Sequence, residues 1–198
     1  MLSVEGLVVN IGTTNILRDA HLTVRPRAMC GLIGRNGAGK TTFMRSVMGL
    51  LPVQGGRIAF EDADLQVVQP HRRPHLGIGY MPEDRRLVPD FTTEENILLP
   101  AWAMRLKDVP ARLRWIYGLM PEVEQFASRP ASALSGGQQK LVALARALMS
   151  GSKLLLLDEP FEGVAPALAR RLAAVLSDLK GEGLSILLAE SNERHVAD

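Results

Sequence analysis

The stretch GRNGAGKT, residues 34–41, constrains this chain more than any other part of it. It follows the apolar run AMCGLI and precedes a helical pattern over about residues 40–50. A glycine-rich turn between an apolar strand and a helix N-terminus is the setting that gives such a pattern its physical meaning. Glycines let the backbone curl until successive N–H groups point at one place, and the helix dipole adds positive potential there. Gly34, Gly37 and Gly39 supply the turn, Lys40 a cation to bridge the β- and γ-phosphates, and Thr41 a hydroxyl for magnesium. Alone, the loop defines a binder of nucleotide phosphates, a class that takes in kinases, GTPases, motors and transporters.

Two further stretches narrow that class. LLLLDEP places Asp158 and Glu159 at the carboxyl end of a wholly apolar strand, the edge at which ligands sit in open parallel sheets. There Asp158 would hold magnesium through water and Glu159 would polarise the attacking water; the alternative is a pair of solvated charges closing a strand. LSGGQQ, residues 134–139, opens the amphipathic helix QQKLVALARALM. Ser135 suits the N-cap, while Gly136 and Gly137 leave bare N–H groups at the positive end of the dipole. That makes a second anion site, or else a capped helix after a Gly-Gly turn.

The rest of the chain supplies the frame. Residues 2–60 read as short strands, LSVEGLVV, HLTV, AMCGLI and GRIAF, interrupted by the helix after the phosphate loop. Residues 93–128 have helical spacing broken at Pro100, Pro110 and Pro121; a helix, the strand KLLLLD, a helix over about 166–180 and the strand LSILLA follow. Strands alternating with helices imply an α/β fold with a mostly parallel sheet covered on both faces. A length of 198 residues suits one substantial core with a smaller lobe. The 23 basic residues stand against 21 acids with no long basic block, which gives no electrostatic track for nucleic acid. Cys30 lies in an apolar run and is expected to be a buried, inert thiol. No stretch reaches the ~18 apolar residues of a membrane-spanning helix, and MLSVEGLVVN lacks the marks of a signal peptide, so a cytoplasmic chain is expected.

Phosphate loop, LSGGQQ turn and DEP strand, in that order, resemble the ATP-binding cassette (ABC) ATPases over essentially the whole chain. The resemblance implies a P-loop NTPase core, an N-terminal antiparallel β lobe and an inserted α-helical signature lobe at about residues 93–149, all in a single domain over residues 1–198. Two cassettes of that family pack head to tail, so each ATP lies between one phosphate loop and the other chain's signature. By resemblance, Arg35, Asn36, Ala38 and Thr42 join the loop residues named above in holding the phosphates. Ser135, Gly136, Gly137 and Gln138 would complete the partner's site. The resemblance also implies ATP and Mg2+ as cofactors, with integral-membrane permease subunits and a second ABC ATPase subunit as partners. It further implies a peripheral place on the cytoplasmic face of the cell membrane.

A subfamily is suggested by GIGYMPEDRRLVPDFTTEEN, residues 77–96, and by DEPFEGVAP. Both are similar to the cassettes of branched-chain amino acid, urea and short-amide importers. In those, Glu83 stands where most cassettes carry glutamine, and the segment implies a joint between nucleotide and membrane partner. A solvated loop acid is the alternative reading of Glu83.

The chain departs from the family at three places. Ile11 stands where an aromatic usually stacks on adenine, so weaker adenine selectivity is expected. Ser191 replaces the histidine that reaches the γ-phosphate, a position where the importer cassettes tend to hold glutamine; His195 is either a surface residue or a displaced substitute. Finally, the family continues through further strands, and this chain is expected to be truncated or unusually short at its C-terminus. Rival classes fit less well. Chromosome and repair cassettes insert a long coiled coil where residues 42–134 show no sustained heptads. Translation-associated cassettes carry two units per chain, and a small-molecule kinase has no use for LSGGQQ. The expected function is the ATP-hydrolysing subunit of a membrane importer, catalysis falling to Glu159, Lys40 and Ser191.

Overall fold

The computed structural model describes residues 1–192; His195 lies outside them. In chain order the strands and helices are β1 (Leu2–Ile11), β2 (Thr14–Val24), β3 (Met29–Ile33), α1 (Lys40–Val47), β4 (Gly55–Phe60) and β5 (Ala63–Asp64). Next come β6 (Ile78–Met81), α2 (Thr93–Met104), α3 (Val109–Leu119), α4 (Pro121–Glu124) and α5 (Gly136–Ser150). The series closes with β7 (Leu154–Asp158), α6 (Pro166–Gly181) and β8 (Ser185–Glu190). Two sheets result: an antiparallel one in the order β2-β1-β4-β5, and a parallel one in the order β3-β8-β7-β6.

The four leucines of β7 are all fully buried because the parallel sheet is covered on both faces. Leu154 and Leu156 pack with Phe43, Met44 and Val47 of α1 and with Leu2, Val4 and Ile58 of the antiparallel sheet. Leu155 and Leu157 belong to the opposite core, with Leu144 and Leu148 of α5 and Val175 and Leu179 of α6. Each such side chain contributes about 1.5–3 kcal/mol of burial energy. Ile97 and Ala101 of α2, Ile116 of α3 and Met120 just after it join the α5 side of that core. The start of α2 is fixed by a capping box in which Thr92 accepts from Glu95 N and Glu95 accepts from Thr92 N.

Strand β1 changes its buried phase midway. Leu2 and Val4 point inward, then Leu7 and Val9, and the register slips between them. Gly6, at φ 61°, makes that bulge possible, since it adopts the left-handed region at no steric cost.

Three features differ from the sequence expectations. Strand β6 is additional to the expected strands, and β2 runs well beyond HLTV, from Thr14. Cys30 is half-buried instead of buried, because β3 lies at the edge of its sheet; burial nevertheless pushes its thiol pKa up, which favours the inert form. Among the described residues no helix is long and apolar enough to cross a membrane.

Candidate active site

Because β3, β8, β7 and β6 are parallel, their carboxyl ends meet at one edge of the sheet. That edge receives the phosphate loop after β3, Asp158 and Glu159 at β7, Ser191 after β8, and Pro82 and Glu83 after β6. Gly34 N donates to Glu190 O at 3.1 Å, which ties the start of the loop to the end of β8.

Within the loop, Gly39 has φ 96°, and a Cβ there would lie 2.8 Å from Leu17 Cδ2. Only glycine meets both conditions without strain. Helix α1 starts with no side-chain cap and no acid in its first turn, so its amides remain open to an anion. The Lys40 ammonium folds back onto its own loop, donating to Gly34 O at 2.6 Å and Arg35 O at 3.2 Å. It also stands 3.0 Å from Glu159 Oε1, both side chains being nearly buried.

Asp158 is completely buried, and neither of its carboxylate oxygens completes a hydrogen bond of good geometry. Burial pushes its pKa up to about 6; the Thr41 hydroxyl pulls against that, the charges of Glu83 and Glu159 reinforce it, and Lys40 opposes it. An orphaned buried carboxylate beside a threonine hydroxyl offers hard oxygen donors, which fits a magnesium ion. Among the described residues no group of three or more His, Cys, Asp or Glu could hold a metal.

Glu159 has φ 50°, a left-handed conformation that costs a non-glycine residue on the order of 1–3 kcal/mol and persists only where its surroundings impose it. Its Oε2 accepts from both Ser191 N at 3.1 Å and Ser191 Oγ at 3.2 Å. Ser191 thus addresses the carboxylate beside it.

A cleft of about 390 Å³ gathers Asn36, Gly37, Gly39, Lys40, Thr41 and Thr42 with Glu83 and Glu159. Ile16 lines it too, whereas Ile11 does not and is 49% exposed. Ser135, Gly136, Gly137 and Gln138 are not among its walls. They form the start of α5, where Ser135 Oγ accepts from Gln138 N and Gln138 Oε1 accepts from Ser135 N. That box leaves the Gly136 and Gly137 amides without an acceptor among the described residues. Glu83 and Thr41 also line a larger cleft of about 630 Å³ with Asp158, Tyr80, Leu50, Pro100 and Met104.

Several contributors escape a reading of the sequence. Arg146 of α5 donates to the carbonyls of Arg85 and Arg86, and Arg85 Nη1 donates to Gly136 O at 3.1 Å, so the loop bearing Glu83 is fastened to α5. Lys140 and Glu190 are buried charges next to the Glu159 turn. The available signal was a pair of cations inside the near-continuous apolar run KLVALARALM, which implies cations that must find buried acceptors.

A parallel sheet edged by a phosphate loop and a buried Asp-Glu pair, with a helical lobe opening on a Gly-Gly turn, defines an ATP-binding cassette. Residues 17–162 match the ABC transporter family, and the chain belongs to it as an ATPase cassette. Among its relatives, the lipopolysaccharide export system ATP-binding protein LptB of Haemophilus influenzae is 33% identical, over 100% of this chain and 83% of the relative. The probable branched-chain amino acid transport ATP-binding protein LivF of Archaeoglobus fulgidus is 32% identical, over 90% of this chain and 76% of the relative. The similarity therefore extends about equally to an export cassette and to an amino acid transport cassette, and is broader than the importer subfamily expected. A nucleotide-free ATP-binding cassette from an ABC transporter superposes with a TM-score of 0.85 at 28% identity, covering 99% of this chain and 83% of that one. The dimeric structure of a bacterial ABC transporter cassette shares the fold, with a TM-score of 0.87 at 21% identity over 98% and 90% of the two chains.

Proposed function

We propose that the chain powers a membrane importer by hydrolysing MgATP, the cargo being a branched-chain amino acid or a related small solute such as urea or an amide. One observation carries the catalytic part: an uncapped helix start, Lys40, the orphaned Asp158 and the oriented Glu159 converge on one sheet edge. Residues 34–42 cradle the phosphates with backbone N–H groups, and Lys40 leaves Glu159 for the γ-phosphate. Asp158 and Thr41 would hold Mg2+, which offsets phosphate charge when bound. Glu159, with Oε2 held by Ser191, then accepts the proton of the attacking water. Ile16 offers an apolar wall to the base, and Ile11 lies farther out.

The signature residues Ser135, Gly136, Gly137 and Gln138 stand outside their own chain's phosphate cleft, which supports a second cassette as the other half of each site. Glu83 forms a wall shared by the phosphate cleft and the larger cleft, where a permease segment would dock beside the exposed Leu50. It is therefore the coupling residue. Residues 93–149 act as the signature lobe of a single cassette domain, held peripherally at the cytoplasmic face by the permease. The importer reading is supported by the segment at residues 77–96 and by the LivF relative; the LptB relative favours an exporter as the second reading.

Glu159→Gln should keep ATP binding and lower kcat by ~10²–10⁴, the scale of a positioned general base. Parental turnover in that variant removes Glu159 from the role. Purifying the chain from membranes and identifying the associated integral-membrane proteins tests importer against exporter.

A further inference from the structure

Two carbonyls of the turn after β7 face one buried cation. Lys140, in the first turns of α5, is 6% exposed, and its ammonium donates to Glu159 O at 2.8 Å and to Glu162 O. Those two residues close the turn on themselves, Glu162 N donating to Glu159 O at 3.2 Å. Between them, Phe161 N donates at 3.1 Å to Oε1 of Glu190, a β8 side chain that is 1% exposed. On the other side of the same residue, Glu159 N donates to Ala189 O at 3.0 Å. The left-handed backbone at Glu159, φ 50°, is thus held from three elements: β7 itself, β8, and α5 through a single side chain.

Neither Lys140 nor Glu190 lines its own chain's phosphate cleft. A buried ammonium is costly, and a methionine or leucine would fill that place among Leu141 and Leu144 without the desolvation. What a cation alone adds there is a grip on both ends of the 159–162 turn. We propose that Lys140 is a positioning residue for Glu159: it clamps the turn whose left-handed backbone aims the carboxylate, and fastens it to the helix that begins at Gly136. The proposal rests on the reading of Glu159 as the group that polarises water.

The test is steady-state ATPase of the full chain carrying Lys140→Met, which matches the side chain's reach and lacks its donors. Misplacing a catalytic group by a fraction of an ångström should lower kcat ~10–100-fold. The KM for ATP and calorimetric ATP affinity should stay within about threefold of the parent, since the cleft walls are untouched. Lys140→Gln, which keeps a donor, should retain more of the activity and serves as the readout if the methionine variant does not fold. In the Glu159→Gln background, adding Lys140→Met should cost less than about threefold, because the clamp has no working carboxylate left to aim. Parental kcat in a folded Lys140 variant, a loss of ATP affinity matching the loss of kcat, or full additivity with Glu159→Gln overturns the proposal. If Glu159→Gln itself turns over normally, the reading of Glu159 falls; if it is slow while Lys140→Met is normal, only the clamp falls.

Discussion

Both oxygens of Glu159 are engaged, Oε1 in an ion pair with Lys40 and Oε2 as acceptor from Ser191. The serine gives that second oxygen two donors, and its backbone amide survives a change to alanine. Ser191→Ala should therefore lower kcat by less than ~10-fold, or about 1.4 kcal/mol of barrier. A collapse of ATPase activity in that variant would show that the hydroxyl has a second task at the γ-phosphate. Glu190 makes a prediction about pH. Burial raises its carboxyl from 4.5 to about 7; the Phe161 amide works against this, and the neighbouring Glu159 charge works with it. The folded chain then binds that proton more tightly than the unfolded chain does. Its contribution to stability is greatest in acid, falls as pH climbs from 4.5 towards about 7, and levels off above that. Glu190→Gln retains an oxygen for Phe161 N and cannot titrate. Relative to the parent it should gain stability between pH 5 and 8, by no more than about 3 kcal/mol. Urea midpoints at the two pH values decide this, and an equal offset at both means that Glu190 stays in one protonation state.

At the scale of elements, α1 illustrates how a helix with an open N-terminus is secured at its other end. Arg73 is buried, and its hydrogen-bond partners among the described residues are carbonyls: Ser46 O and Val47 O at the end of α1, with Leu65 O and Val68 O across from them. A cation at a helix C-terminus also meets the favourable end of the dipole. Gly49 lies so close that a Cβ would come within 2.6 Å of the guanidinium carbon. Arg73→Ala would leave several buried carbonyls unpaired and should lower stability by about 3 kcal/mol, read from chemical denaturation. The elements differ in how plainly the sequence announces them. β1, β7 and β8 are legible because burial on one or both faces writes itself as alternating or continuous apolar runs. β6 is only Ile78–Met81 and includes Gly79; its strand state is imposed by pairing with Leu154–Leu157, a neighbour far along the chain. The first part of β2, TNILRDA, buries Leu17 alone, so no apolar period marks it. The sheet edge proposed for catalysis is legible as GRNGAGKT and DEP because those residue types have few other uses together. Arg73, Lys140 and Glu190 are not, because a buried charge is explained by carbonyls and amides that the sequence does not locate.

At the scale of the whole molecule, the parallel sheet separates two cores, and the two helix starts proposed to bind phosphate belong to different ones. α1 packs with the antiparallel sheet, and α5 packs with α2, α3 and α6 on the opposite face. The Gly136 and Gly137 amides accordingly stand away from their own chain's phosphate cleft. If each ATP is instead held between the phosphate loop of one chain and the start of α5 of another, two different defects should complement. Lys40→Ala disables a loop, and Gly136→Asp sets a negative charge where the partner's phosphate would lie, at a helix start that tolerates an acid. In a symmetric dimer of either variant both sites carry one defect, and ATPase activity should be nearly lost. In the mixed dimer one site carries both defects and the other carries neither. An equimolar mixture, unfolded and refolded together, should therefore recover up to about a quarter of the parental activity. Recovery at that level requires the site to span two copies of this chain, whereas a mixture as inactive as its components would overturn pairing of the chain with itself.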